Sequence, residues 1–253
     1  MHRLVEGDHI ADVLEPYAQV DRGRGPWWVL ANMVGSLDGS AAFGGRVGPL
    51  SGGADADLFR MLRSVADVVL VGAETVRRER YGPVRLPDHL RRRREADGRP
   101  PTPPLAVVSR SLDLDWTVGA FADAERGPDS GAAPLLITCS AADPDRVAEA
   151  REHAEVLVAG GQRVEPRRAV EVLAERGHRV VLCEGGPTLL GDVVEAGLLD
   201  ELCFTLAPLM GGDHLPISLS PAGAERITEL RLAHAALDGS TLFLRYERDD
   251  RDD

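Results

Sequence analysis

Residues 180–202 read VVLCEGGPTLLGDVVEAGLLDEL, and this stretch decides the fold. It opens with four apolar residues in a row, which predicts a strand buried on both faces. After Glu184 the strand breaks at Gly185 and Gly186. Apolar side chains then recur at positions 189, 190, 193, 194 and 198, which is the spacing of one helix face. The stretch therefore predicts a buried strand, a Gly-Gly turn and the start of a helix.

The turn after this strand predicts a binding site for an anion. A helix start leaves backbone N–H groups unpaired and carries the positive end of the helix dipole. A Cβ atom at Gly185 or Gly186 would hold ligand oxygens away from those N–H groups. Phosphate is the anion most often bound in this way. An ordinary strand-to-helix turn is the alternative, because Gly-Gly alone is a weak signal.

Composition excludes several classes of protein. All 29 basic residues among the 253 are arginine, which excludes a Schiff-base lysine, a pyridoxal-phosphate lysine and a P-loop lysine. The net charge of −12 argues against nucleic acid as a partner, since phosphate backbones require a positive field. Cys139, Cys183 and Cys203 form no C-x-x-C pair, so we predict neither a metal site nor a disulfide. Reduced cysteines suit the cytoplasm.

The chain is predicted to be one domain with short extensions. Residues 1–25 are predicted to form an irregular arm, helical at most around residues 10–14, and they lack the apolar core of a signal peptide. Residues 26–247 form the predicted domain, and residues 248–253 a charged tail. No run approaches the ~18 apolar residues that span a bilayer, so we predict no membrane partner.

Strands and helices alternate through the domain, which predicts an α/β fold with a largely parallel central sheet. Two antiparallel strands at residues 230–246, joined by Asp238-Gly239, supply the predicted edge. The glycine-rich loop at 41–53 is predicted to be mobile. Residues 85–104 contain four consecutive arginines and a proline cluster. We interpret them as a solvated surface loop rather than a nucleic-acid site.

Ligands of α/β sheets bind at the carboxyl ends of the strands. Those ends are rich in Gly, Ser and Thr, and they include Asn32 and Gly72. The G-x-G-x-x-G fingerprint is absent, which argues against an ordinary Rossmann dehydrogenase.

Three separated blocks of sequence resemble the riboflavin-biosynthesis pyrimidine reductases. They are GSLDG at 35–39, LR at 62–63 continuing to DVVLVGAETV at 67–76, and EGGP at 184–187 followed by GLLDEL at 197–202. The family forms the reductase domain of bifunctional riboflavin deaminase–reductases, and the chain is also similar to stand-alone actinobacterial members. The resemblance covers about residues 27–246. It implies a three-layer, dihydrofolate-reductase-like fold, NADPH as cofactor and a homodimer. The zinc signatures of the deaminase half are absent, so reduction alone is expected.

The resemblance assigns residues to NADPH. Ser36, Ser51 and Thr75 fall where the family contacts the cofactor, together with Asn32 and Gly72 at the strand ends. The pyrophosphate is expected at the Gly-Gly turn and the helix start, which comprise Gly185, Gly186, Pro187, Thr188 and Leu189. Ser109 and Arg110 follow a strand where this fold meets the 2′-phosphate, and an arginine matches a phosphate bidentately. A strand-end cap is the alternative role for Ser109.

On the substrate side, Arg63 and Glu184 match family positions. Glu184 could accept hydrogen bonds from pyrimidine N–H groups, and Arg63 could bind the substrate phosphate or form a helix-surface salt bridge. Arg85 is a further candidate for substrate binding. Glu184 and Glu79 are the candidate proton donors, and the sequence does not decide between them.

Three departures from the family pattern fall mostly on the substrate side. Ser40 replaces a lysine or arginine, Glu79-Arg80-Tyr81 replaces Asp-Asp-Pro, and Pro49 replaces tryptophan. The resemblance nevertheless predicts NADPH-dependent reduction of 5-amino-6-ribosylaminouracil 5′-phosphate to its ribityl product. The alternatives are reduction of another heterocycle such as dihydrofolate, and NADPH binding without turnover.

Overall fold

A computed structural model of the chain describes residues 15–18, 25–117, 119–122, 133–224 and 226–248. Within these ranges the strands belong to one sheet. They are β1 (Trp28–Gly35), β2 (Val68–Gly72), β3 (Leu105–Val108), β4 (Leu135–Thr138), β5 (Glu155–Val158), β6 (Val180–Cys183), β7 (Glu201–Leu206), β8 (Arg231–Asp238) and β9 (Thr241–Glu247). Their order across the sheet is β5-β4-β3-β2-β6-β1-β7-β9-β8.

In this spatial order, the seven strands from β5 across to β7 pair in parallel. The remaining pairs, β7 with β9 and β9 with β8, are antiparallel. This confirms the predicted α/β class with an antiparallel C-terminal hairpin. The strand β6 lies between β1 and β2, with Val181 opposite both Val29 and Val68. All four residues of β6 are fully buried, as the unbroken apolar run predicted.

Six α-helices connect the strands in the described part of the chain. They are α1 (Gly53–Val65), α2 (Ala73–Glu79), α3 (Asp88–Ala96), α4 (Pro144–His153), α5 (Pro166–Ala174) and α6 (Pro187–Glu195). Short 3-10 turns lie at Glu15–Ala18, Gly48–Leu50 and Gly119–Phe121.

Two hydrophobic cores lie on opposite faces of the sheet. On one face Leu182 of β6 packs in the same core as Leu58 and Leu62 of α1. On the other face Val181 shares a core with Val170 of α5 and other apolar residues of α5 and α6. Neighbouring residues of one strand thus serve different cores, because successive side chains of a strand point to opposite faces. The sheet is the middle of three layers, as predicted.

The interpretation of residues 85–104 as a solvated loop is wrong for nine of these twenty residues, which form a helix. The four arginines lie on α3, and Arg94 is only 1% exposed. Its guanidinium donates hydrogen bonds to the carbonyl oxygens of Ser64 (2.9 Å), Ala66 and Pro100 (2.8 Å). One arginine of the run therefore closes the carboxyl end of α1, where helix carbonyls lack partners of their own. Charge density alone did not reveal which arginine points inward.

Arg94→Ala is expected to lower the free energy of unfolding by about 2–3 kcal/mol, because it removes the side-chain donor of the Ala66 and Pro100 carbonyl groups, whereas the Ser64 carbonyl keeps a donor in Arg99. Chemical denaturation measures the loss. Arg93→Ala is the matched control, since Arg93 is the exposed neighbour on the same helix, and a change within about 0.5 kcal/mol is expected there. Equal effects of the two substitutions would contradict the buried role of Arg94.

The predicted arm lies mostly outside the described residues, including the possible helix at 10–14. Its described segment, Glu15–Ala18, contacts β8 and β9. Tyr17 is fully buried with its ring 5.4 Å from that of His234, and the Pro16 carbonyl accepts a hydrogen bond from Arg245. The domain boundaries themselves stay predictions.

All three cysteines are free and buried, Cys183 and Cys203 in strands and Cys139 directly after β4. Among the described residues, no group of three or more His, Cys, Asp or Glu side chains is arranged to hold a metal ion. Of the helices in the same ranges, none combines the length and apolar character that crossing a bilayer requires.

Candidate active site

A cavity of about 730 Å³ opens at the carboxyl ends of three neighbouring strands, β1, β2 and β6. Asn32 and Met33 of β1, Gly72 of β2 and Glu184 after β6 contribute to its wall. The face of α1 and the loop that precedes it form the opposite side. Parallel strands bring their carboxyl ends to one edge of a sheet, so motifs more than 100 residues apart in sequence meet here.

The Gly-Gly turn forms one wall of this cavity. Gly186 is the N-cap of α6, and the first N–H that bonds back into the helix is that of Leu190, to the Gly186 carbonyl oxygen (3.0 Å). The N–H groups of Thr188 and Leu189 at the helix start therefore have no partner within the helix. Both residues line the cavity. The anion site predicted from the sequence thus has free donors beside an open space.

Two features explain why glycine occupies the turn: the backbone conformation of Gly185 and a close approach at Gly186. Gly185 has φ +86°, a conformation that side chains disfavour. A Cβ atom on Gly186 would lie 2.6 Å from the Thr75 hydroxyl oxygen. The Gly72 N–H donates to the Gly185 carbonyl oxygen (2.8 Å), which holds the turn against the end of β2. The turn is consequently a narrow backbone cradle beside Thr75.

A buried cluster of three side chains forms the second wall. Arg63 of α1 donates two hydrogen bonds to the Glu184 carboxylate, from Nε to Oε1 (2.7 Å) and from Nη2 to Oε2 (2.8 Å). The Tyr81 hydroxyl donates to the same Oε2 (3.0 Å). The Arg63 and Glu184 side chains are 13% and 1% exposed, so this is a buried bidentate pair rather than a helix-surface salt bridge.

The surroundings fix the protonation of Tyr81 and the position of Arg63. Burial, and then the adjacent Glu184 carboxylate, raise the pKa of Tyr81 well above its usual value, so the hydroxyl remains a donor at neutral pH. The Arg63 guanidinium lies over the Phe59 ring at 3.9 Å from its centroid. The Glu184 carboxylate thus accepts three hydrogen bonds, two from Arg63 and one from Tyr81, which occupy three of its lone pairs.

Most of the residues proposed from the sequence do meet in the cavity. Those that line it are Asn32, Ser51, Arg63, Gly72, Thr75, Glu79, Glu184, Gly186, Pro187, Thr188 and Leu189. Glu79 lies at the end of α2 and accepts a hydrogen bond from the Val47 N–H (3.0 Å). The loop of residues 41–53 is thus tied to the cavity wall at Val47.

Five proposed residues are not part of the cavity lining: Ser36, Arg85, Ser109, Arg110 and Gly185. Ser36 is buried, and its hydroxyl bonds within its own turn to Asp38 and Ser40. Ser109 accepts a hydrogen bond from the Leu112 N–H (3.0 Å), which is the strand-end cap considered as its alternative role. Arg85 and Arg110 are exposed, and Arg110 follows β3, the strand next to β2.

Ser40 does not occupy the place of a charged active-site residue. It is 3% exposed, its hydroxyl donates to the Ala42 carbonyl oxygen (2.9 Å), and it accepts from the Asp213 N–H (3.1 Å). A Cβ atom on Gly212 would lie 2.3 Å from the Ser40 hydroxyl oxygen, so the backbone of Gly212 packs closely against this side chain. The serine that departs from the family pattern at position 40 therefore helps to pack its loop against the loop that contains Asp213.

Asp55 and Phe59 line the cavity and were missed from the sequence. They precede Arg63 at intervals of four residues, which places all three on one face of α1. The four-residue spacing is the sequence signal by which they could have been found. Tyr81 and Arg80 also line the cavity, and both stand where the family pattern is broken.

The chain is similar in sequence to two archaeal proteins that are named as reductases. The chain is 29% identical over 191 residues to the 2,5-diamino-6-ribosylamino-4(3H)-pyrimidinone 5′-phosphate reductase of Archaeoglobus fulgidus, covering 75% of this chain and 84% of that protein. It is 32% identical over 186 residues to the Methanothermobacter thermautotrophicus protein of the same name, covering 73% and 79%.

A solved structure extends the likeness over nearly the whole chain. A pyrimidine reductase-like protein from Corynebacterium diphtheriae superposes with a TM-score of 0.80 at 28% identity, covering 96% of this chain and 99% of that one. The family model of the RibD C-terminal domain matches residues 27–244, which include the strands β1 to β8, the first four residues of β9 and the whole cavity lining. The resemblance noted in the sequence is confirmed, and the chain belongs to the RibD C-terminal domain family.

Proposed function

We propose that this protein is an NADPH-dependent reductase of a 6-ribosylaminopyrimidine 5′-phosphate in riboflavin biosynthesis. One observation carries the proposal: the helix-start anion site and the buried Arg63–Glu184 pair open into the same cavity. A nucleotide cofactor requires an anion site for its phosphates, such as the helix start. A polar heterocycle requires hydrogen-bonding groups, such as those around the Arg63–Glu184 pair. The relatives in Archaeoglobus and Methanothermobacter are named for a substrate of this class.

The residues present fit a nicotinamide nucleotide. The cradle at Gly186 leaves no room for a side chain, and the N–H groups of Thr188 and Leu189 suit the pyrophosphate. Arg110 follows β3, which is two strands from β6, and it is the residue that the family resemblance assigns to the 2′-phosphate. When bound, NADPH would supply the hydride.

Arg110→Ala is expected to weaken NADPH binding by about 1.5–3 kcal/mol, the range of a hydrogen bond to a charged group, and to leave NADH binding nearly unchanged. Fluorescence titration with both nucleotides measures this difference. The exposed Arg146 on α4 makes only a surface ion pair with Asp113, so Arg146→Ala provides the control. An equal loss for NADPH and NADH would contradict the assignment of Arg110 to the 2′-phosphate.

The reduction requires a hydride at C1 of the open-chain imine form of the ribosylamine and a proton at its nitrogen. The C=N bond becomes a C–N single bond, and the ribose becomes a ribityl chain. Glu184 already accepts hydrogen bonds from Arg63 and Tyr81, so its part is to hold the site together as an acceptor. Of the two acids proposed from the sequence, Glu79 is thereby favoured as the proton source.

Steady-state oxidation of NADPH tests the proposed function. The aminouracil ribotide expected from the sequence and the diaminopyrimidinone ribotide are assayed beside dihydrofolate. We expect turnover with at least one ribotide and none with dihydrofolate. Oxidation with dihydrofolate alone would favour a different heterocycle. Cofactor binding without turnover of any of the three would favour a binding protein.

The remaining expectations rest on the family resemblance. We infer that the protein acts as a homodimer in the cytoplasm. Exposed apolar side chains in the loop before β8, including Leu209 (45% exposed) and Met210 (78%), support a covered surface there. Sedimentation at micromolar concentration measures the oligomeric state.

A further inference from the structure

A substrate with a 5′-phosphate requires a cation at the cavity, since a phosphate ester carries about two negative charges at neutral pH. The chain contains no lysine, and among the described residues the arginines that line the cavity are Arg63, Arg78 and Arg80. Arg63 donates from Nε and Nη2 to the Glu184 carboxylate. Arg78 forms an ion pair with Glu74, one helical turn earlier (2.6 Å). Two of these arginines therefore already have anionic partners.

Arg80 is the cavity arginine without such a partner. Among the residues that the structure describes, its side chain makes no hydrogen bond and no ion pair. The side chain is exposed at the edge of the cavity that it lines, so its N–H donors are available to a ligand. The guanidinium fork matches the oxygens of a phosphate bidentately.

The backbone of Arg80 indicates that the arginine side chain has a task at this position. Arg80 is the C-cap of α2, with φ +50° and ψ +52°, which is the left-handed conformation. Helices commonly place glycine at such a position, because a Cβ atom disfavours this conformation. Residues held in a disfavoured conformation concentrate at ligand sites, where the side chain compensates for the strain.

Arg80 lies on the substrate side of the cavity rather than on the cofactor side. The helix α2 begins beside the Gly-Gly turn, where a Cβ atom on Gly186 would lie 2.6 Å from the Thr75 hydroxyl oxygen. Arg80 is five residues after Thr75, about 7.5 Å along the helix axis at ~1.5 Å per residue. The next residue, Tyr81, donates to Glu184 in the buried cluster. The anion site at the turn and Arg80 thus lie at opposite ends of α2.

We propose that Arg80 binds the 5′-phosphate of the substrate and thereby selects ribotides over the corresponding unphosphorylated ribosides. This inference rests on the proposed function and adds the residue that recognises the phosphate. Arg63, which the sequence suggested for this phosphate, instead holds Glu184 in the buried pair. Arg85, the other arginine suggested for the substrate, is not part of the cavity lining.

Arg80→Gly tests both parts of the argument, because glycine removes the guanidinium and also suits the left-handed backbone. Wild type and variant are compared by kcat/KM on the ribotide and on the same compound without its phosphate. Wild type is expected to prefer the ribotide by about 10- to 100-fold, the effect of hydrogen bonds to a charged group. Arg80→Gly is expected to lose that preference through the ribotide alone. It should also bind NADPH as wild type does and melt at or above the wild-type temperature.

Two further variants serve as controls. Arg80→Lys keeps the positive charge without the planar fork and should retain part of the preference. Arg77→Ala removes an arginine of the same helix that is not part of the cavity lining and donates to the Asp113 carbonyl oxygen. Its kinetics should match those of wild type. Equal losses on ribotide and riboside in Arg80→Gly, or a loss of NADPH affinity in its place, overturn the inference.

Calorimetric binding separates this inference from the proposed function. If wild type reduces no ribotide, the proposed function fails, and the binding constants of ribotide and riboside then decide the role of Arg80. Tighter binding of the ribotide by wild type, lost in Arg80→Gly, would support the phosphate site. Equal binding of the two compounds by wild type, or binding of neither, rejects it.

Discussion

Arg63→Met is expected to lower the free energy of unfolding by about 3–5 kcal/mol, because it leaves the Glu184 carboxylate buried without its cation. The side chain of Glu184 is 1% exposed, and the Tyr81 hydroxyl is its other donor in the cluster. Methionine keeps most of the length of arginine, so the lost ion pair dominates the effect. The same change is expected to abolish measurable reduction, because the cluster forms one wall of the cavity.

A double variant separates the charge from the packing. Arg63→Met combined with Glu184→Gln removes both charges, and we expect it to recover at least half of the lost stability without recovering activity. Arg60→Met changes an exposed arginine on the same helix and should stay within about 0.5 kcal/mol of wild type. If the double variant is no more stable than Arg63→Met, the buried pair is not the source of the loss. The double variant also keeps the test valid should the single variant fail to fold.

Gly186→Val is expected to abolish nucleotide binding. A branched side chain would collide with the Thr75 hydroxyl, which lies 2.6 Å from the position of a Cβ atom, and would cover the N–H groups of Thr188 and Leu189. Losing two hydrogen bonds to a charged phosphate, at ~1.5–3 kcal/mol each, costs about 3–6 kcal/mol of binding free energy. Fluorescence titration with NADPH measures the loss.

Gly161→Val is the control for this change. Gly161 is the second glycine of the Gly-Gly pair after β5, it is exposed, and a Cβ atom there meets nothing within 4 Å. Its NADPH affinity and melting temperature should match those of wild type. Wild-type affinity in a folded Gly186→Val protein would place the phosphate elsewhere.

The strand and helix order could be predicted because its signals are local. The unbroken apolar run at 180–183 identified a strand buried on both faces, and the glycines marked the end of that strand. Parallel pairing followed from the alternation of strands and helices. The boundaries moved by about one residue, as with the C-terminal hairpin, which was predicted at residues 230–246 and lies at residues 231–247.

The helix α3 could not be predicted in this way, because most of its residues are charged and they show no apolar periodicity. Four of the nine residues of Asp88–Ala96 are arginine, and only Leu90 and Arg94 are buried. The direction of Arg94 depends on carbonyl groups at the end of α1, some 30 residues earlier. Propensity carries no information about such a tertiary partner.

The candidate site shows the same limit. The family resemblance assigned Arg63 and Glu184 to the substrate side. The bidentate salt bridge between them joins residues 121 positions apart, so only the fold shows it. Asp55 was not predicted, since a carboxylate in the first turn of a helix is also favoured by the helix dipole alone. Its unpaired Oδ1 is a property of the cavity, which no sequence pattern reports.

Transfer of deuterium from labelled NADPH tests the central claim most directly. The protein is incubated with nicotinamide-4-deuterated NADPH, in each of the two label stereochemistries, and with the ribotide that it turns over. The ribityl product is then examined by NMR. The account predicts one deuterium at C1 of the ribityl chain from one of the two labelled cofactors. A product without label from either cofactor, or NADPH binding with no ribityl product, would contradict it.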